Sequence, residues 1–142
     1  MIRVAVLVGL VGAGMAAAKP LPGPYSARVE RVIDGDSLEA RVTIWLGQEV
    51  TTTVRLAGID TAELRSTCAR GRERAAAAKA LLASRVEGTT IILTSVETDK
   101  YGGRVIAHVS DANGVDMARV LVAEGLAVPY EGQRRPDWCD MP

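Results

Sequence analysis

Three short stretches of this chain gather the side chains from which a phosphodiester-cleaving site is built. They are Val32-Ile33-Asp34-Gly35-Asp36-Ser37, Val54-Arg55-Leu56-Ala57-Gly58-Ile59-Asp60-Thr61-Ala62-Glu63, and Thr98-Asp99-Lys100-Tyr101-Gly102-Gly103-Arg104. Water attacking phosphorus needs a carboxylate to take its proton. A hard cation needs oxygen ligands, and the charge that grows on the phosphate needs planar donors, which arginine supplies as a fork. Each piece alone has an ordinary reading. Asp34-Gly35-Asp36 suits a solvated turn, Glu63 suits the first turn of a helix, and an arginine in a strand is usually an exposed ion-pair partner. Arg55 stands inside an apolar alternation, where a charge asks for a partner.

The elements around these residues read as a small β-barrel with helices. Val29, Val32, Leu38, Ala40, Val42 and Ile44 give an interrupted period of two, which predicts strands around 26–33 and 37–45. Gly47 turns the chain, and the β-branched run from Thr51 to Leu56 predicts a third strand that delivers Asp60 to Glu63 into a loop. Ala, Leu, Arg and Lys dominate from about Arg70 to Arg85, with Gly88 beyond, which predicts the clearest helix. Two strands follow at 89–96 and 104–110, joined by a hairpin tip over Lys100 to Gly103. After a turn at Asn113-Gly114, a short helix from about Asp116 to Glu124 places Met117, Val120 and Leu121 on one face and stops at Gly125. The fold class is therefore α+β, mainly β. The order fits a five-stranded OB-type barrel with two helices, although the pattern alone also admits another α+β arrangement.

The 142 residues suffice for one domain, and 48% hydrophobic with 24% charged residues is the balance of a globular protein. Residues 1–18 read as a secretory signal peptide: basic Arg3, an uncharged run from Val4 to Met15, then Ala16-Ala17-Ala18 before a cut at Lys19. The uncharged run is too short for the roughly 20 apolar residues of a membrane span. The mature chain is thus expected outside the cytoplasm, in a periplasm or the medium, without a membrane span. Lys19 to Pro24 carries Pro20, Pro22 and Pro24 and reads as an extended leader to a domain over 25–142. The whole chain has 17 basic and 17 acidic residues; losing Arg3 leaves 16 against 17. Binding by broad neutralisation of phosphates is excluded by that balance, so any affinity for nucleic acid must be local. Cys68 and Cys139 are the only cysteines, and an even count in an exported chain reads most simply as one disulfide, with two buried thiols as the alternative.

In order and spacing the three stretches resemble the thermonuclease (staphylococcal nuclease-like) family of secreted, calcium-dependent nucleases on an OB-type barrel. The similarity runs from about Tyr25 to Tyr130. It implies that Asp36, Asp60 and the carbonyl of Thr61 hold Ca²⁺, that Glu63 is the general base, and that Arg55 and Arg104 hold the phosphate and stabilise the transition state. It further implies that Lys100, Tyr101 and Tyr130 bind the nucleotide, with Tyr101 either packing on a base or simply closing the hairpin, and that DNA and RNA are cleaved; a preference for single strands and a monomer are further expectations. The chain departs from the family pattern at several points: Ser37 replaces threonine, Ala62 replaces proline, and Gly103 is an added residue. The family's C-terminal helix and one of its two base-stacking tyrosines have no counterpart. Weaker stacking is the implication. A Cys68–Cys139 bridge is expected to pin the tail in place of that helix, with Trp138 as a packing anchor.

Three further groups have less specific readings. His108 is expected on a strand away from the motifs, as a core or surface imidazole. Arg65, Arg70, Arg72 and Arg74 either line the groove or form a solvated helix face. A rival to the enzyme is an OB barrel that binds nucleic acid, or docks a protein, without cutting. Retention of Asp36, Arg55, Asp60, Glu63 and Arg104 argues against it, because binding alone needs no base beside a cation site.

Overall fold

The computed structural model describes residues 18–142. The segment read as a signal peptide lies outside the described residues but for Ala18. Seven strands and two helices follow in the order β1 (Tyr25–Asp34), β2 (Ser37–Trp45), β3 (Gln48–Leu56), β4 (Ile59–Thr61), α1 (Ala69–Val86), β5 (Thr90–Thr98), β6 (Arg104–Asp111), α2 (Met117–Ala123) and β7 (Ala127–Pro129). Five of the strands close into a barrel in the order β1-β2-β3-β6-β5, with β1 paired back onto β5. All barrel pairings are antiparallel except β3 with β6, and that parallel pair requires the long crossover through β4, α1 and β5. The OB-type barrel with two helices expected from the sequence is therefore the fold.

Alternation of inward and outward residues fills the barrel. Val29, Leu38, Ala40, Val54, Leu56, Ile91, Leu93, Ala107 and Val109 are almost wholly buried, each at 2% exposure or less. Helix α1 buries one stripe, Gly71, Ala75, Ala78, Leu82 and Val86, of which Ala78, Leu82 and Val86 join the barrel core while Ala75 packs with Ala62 and Trp138. Three of the five are Gly or Ala, so the helix axis lies close to its neighbours. Cys68 caps the helix, its sulfur accepting from the Gly71 amide at 3.2 Å. Met117 and Leu121 of α2 join the same core.

The leader is exposed, as expected, yet it is attached. Leu21 and Val96 exchange backbone hydrogen bonds at 2.8 Å, and Pro22 O accepts from Ser95. Ser95 has φ 51 at the irregularity in the β5–β6 pairing, so the leader supplies partners where the ladder breaks.

One sequence expectation is corrected. Asp60 was expected in a loop, but Ile59–Thr61 forms β4 and pairs with β7, Asp60 standing opposite Val128. Gly58, at φ 78, turns the chain between β3 and β4, and its carbonyl accepts from the Tyr130 amide at 2.9 Å. This two-stranded sheet stands beside the barrel mouth.

Candidate active site

The site begins with a tight turn. Gly35 links β1 to β2 at a point where an added Cβ would come within 2.6 Å of Ala78 Cβ and 2.9 Å of Thr61 Oγ1. Only a glycine lets the turn press between α1 and β4, and that close approach places Asp36 beside Thr61. The Asp34 carboxylate accepts from the Asp36 amide at 3.1 Å, and the Asp36 carbonyl accepts from Leu56 N at 2.8 Å, which ties the turn to the end of β3. Opposite Ser37 on β3 stands Arg55.

Arg55 is held by the backbone. Its guanidinium donates to the carbonyls of Leu56 at 3.0 Å and Ile59 at 3.1 Å. One of its nitrogens then lies 3.5 Å from Asp36 Oδ2 and 3.9 Å from Asp60 Oδ1. The charge inside the apolar alternation thus has its partners, the two carboxylates expected to hold a cation. Arg104 enters from β6, whose first residue pairs with Thr53 two positions before Arg55. Its Nε donates to Asp99. Burial pushes Asp99 upward, but that bond and one from the Tyr101 amide outweigh it and hold the carboxyl below its ordinary value. Tyr101 is exposed on the hairpin, with Lys100 Nζ 5.2 Å and Arg104 Cζ 5.1 Å from its ring centre, both within cation–π range.

These residues face one cleft of about 830 Å³. Asp36, Arg55, Asp60, Glu63, Lys100, Tyr101, Arg104 and Tyr130 all line it. His108 also borders it, closer to the motifs than expected, as an exposed surface imidazole on β6. Glu63 stands in the connection between β4 and α1, not in the first turn of a helix. The helix arginines do not line the groove: Arg72 donates to Ser66 O at 2.9 Å, Arg70 to Met141 O at 3.1 Å, and Arg74 to Pro142 O. They fasten the loop and the tail.

Asp60 is the most enclosed polar group, at 1% exposure, and both its oxygens are engaged by residues that the sequence reading did not place there. Trp138 Nε1 donates to Oδ2 at 3.0 Å, and Arg135 Nε donates to Oδ1 at 2.9 Å. Arg135 continues to Thr61 O at 3.5 Å and to Glu63 Oε1 at 2.7 Å. Partial burial draws the Arg135 pKa down, but its bonds to Glu63 and Asp60 outweigh that, and the guanidinium is held more firmly charged than usual. The indole packs on Ala62 and Ala75, so the small side chain at 62 lies where Trp138 sits. Trp138 is a packing anchor, as expected, and a hydrogen-bond donor to Asp60 as well. A disulfide joins Cys68 to Cys139 across 71 residues and fixes the tail beside α1. Given that bridge, the sequence did hold a signal: Arg135 is four residues before Cys139, and Glu63 five before Cys68.

The donors available to a metal are all oxygens: the carboxyls of Asp36 and Asp60 and the carbonyl of Thr61. That is the chemistry of calcium or magnesium, not of a soft ion. Among the described residues no three His, Cys, Asp or Glu side chains cluster as ligands, so a cation here would draw on backbone, water or substrate oxygens. Burial, aided by Asp34 and Asp60, raises the Asp36 pKa from 3.8 to about 6 against the opposing pull of Arg55. On these grounds the residues fit a hard divalent cation.

The fold is thus an OB-type barrel with buried carboxylates and two arginines on one cleft. The family described as Staphylococcal nuclease homologue matches residues 53–139, more than half of the 142, and the chain belongs to that family. No curated protein matches the chain at a significant level.

Proposed function

We propose that the protein is a calcium-dependent nuclease that hydrolyses phosphodiester bonds of DNA and RNA, working as an exported monomer with a preference for single strands. The observation that carries this reading is the convergence of Asp36, Arg55, Asp60, Glu63 and Arg104 on one cleft. Asp36, Asp60 and the Thr61 carbonyl would hold the ion, which when bound would polarise the phosphate and offset its charge. Arg55 and Arg104 present planar forks to the phosphate oxygens and stabilise the charge that builds up as water adds to phosphorus. Glu63, at the exposed rim, receives the proton of that water while the phosphorus–oxygen bond to one sugar breaks and the departing oxygen takes a proton from solvent. Tyr101 and Tyr130 offer ring faces for bases, a mode that favours unpaired strands.

A second reading, a barrel that binds nucleic acid without cutting it, is favoured by one observation: Glu63 is engaged by Arg135 rather than free. One assay separates the two. Mature protein incubated with heat-denatured DNA should cut it in calcium, stop on chelation and recover poorly in magnesium, because a flexible, incomplete oxygen site suits the larger ion. Binding of the strand with no cleavage in calcium would establish the second reading, and equal cleavage in chelator would remove the metal.

A further inference from the structure

We infer that Arg135 is a resident cation at the metal position, a latch that a divalent ion must displace and whose displacement releases Glu63. This rests on the metal reading above. The guanidinium uses all three nitrogens, on Asp60 Oδ1, Thr61 O and Glu63 Oε1. Two of those oxygens belong to residues assigned to the ion, and the third is the carboxylate assigned to the attacking water. A divalent ion and this guanidinium compete for Asp60 Oδ1 and Thr61 O, and their like charges repel across so short a distance. Occupancy is therefore competitive. When the ion displaces Arg135, Glu63, the other carboxylate it holds, is set free in the same movement.

The latch is built to swing rather than to detach. The Arg135 side chain is 46% exposed and has solvent to turn into, whereas Trp138, bonded to the other oxygen of Asp60, is buried, and Cys139 is covalently tied to Cys68. The backbone of the tail stays while one side chain moves. Apparent affinity for the ion is reduced by the fraction of molecules in which the latch is open, so removing Arg135 should recover it. Removal also leaves Asp60 buried with less positive charge nearby, which weakens the metal-free fold.

Calcium calorimetry and thermal melts of the full mature chain, disulfide intact, test this without any nuclease assay. Arg135→Gln should bind calcium about tenfold more tightly than the wild type, the gain expected if the latch is open in roughly a tenth of molecules. It should melt below the wild type in chelator and close that gap in saturating calcium. Arg135→Lys, which keeps the charge but loses the fork, should fall between. In the wild type the Arg135 Nε–H resonance should lose its protection as calcium is added, a readout that needs no variant. Unchanged or weaker calcium binding in both variants would reduce Arg135 to a tail anchor and overturn the inference. Calcium binding that survives Asp60→Asn would instead overturn the metal reading beneath it.

Discussion

Asp36 is buried before it is charged, and its ionisation works against the fold. In the folded chain it keeps its proton up to about pH 6, while the unfolded chain releases it near 3.8. A raised carboxyl pKa means that the folded state binds the proton more tightly, so stability falls as pH climbs from one value to the other, by on the order of 3 kcal/mol in all. Asp36→Asn should therefore melt above the wild type in chelator at about pH 8, lose that advantage below about pH 4, and fall behind once calcium is added. Melting curves across pH with and without calcium measure all three. Glu63→Gln should keep the fold and most nucleotide affinity yet lose turnover by roughly 10² to 10⁴. Arg55→Lys should not restore function, because the ammonium lacks the planar fork; parallel melts and single-turnover cleavage separate this from unfolding. Asp36, Arg55, Asp60, Glu63 and Arg104 could be singled out because the order and spacing of their stretches resemble one family, and the fold does bring all five to one cleft. The bridge and the anchoring of the tail by Trp138 were also expected, but the bonds from Arg135 and Trp138 to Asp60 and Glu63 were not, because those partners are more than seventy residues away and the local sequence around Arg135 shows no pairing.

The elements divide along the same line. Strands β1, β2, β3, β5 and β6 and both helices follow from periodicity and end within three residues of where the sequence places them, since each is long enough to show its period. β4 and β7 have three residues apiece, too few to display alternation, and they exist because they pair with each other. That small sheet turns Asp60 from a loop residue into a buried one. The Gly35 turn, caught between α1 and β4, tests this coupling of elements. Gly35→Ala should destabilise the fold by about 1–3 kcal/mol, because the methyl meets Ala78 and Thr61 at less than contact distance. It should also weaken calcium binding, as Thr61 is moved. Denaturant midpoints and calorimetry give the two effects separately, and an unperturbed calcium affinity would break the link between the turn and the site.

For the molecule as a whole, the disulfide is the longest-range constraint. Closing a loop of 71 residues removes unfolded-chain freedom equivalent to about 4 kcal/mol in the chain-entropy treatment. Cys139→Ser should lower the thermal midpoint accordingly while cleavage chemistry persists, since neither sulfur lines the cleft; equal midpoints for the variant and the oxidised wild type would mean that packing of Trp138 alone holds the tail. The pairing of Ile59–Thr61 with Ala127–Pro129 lies outside the closed barrel. Every barrel strand is supplied before α2, so the barrel pairings are complete without β7, whereas the bracing of Asp60 is not. Barrel and site are separable in this way, and loosening Ala127–Pro129 would reach Asp60 before it reached the barrel.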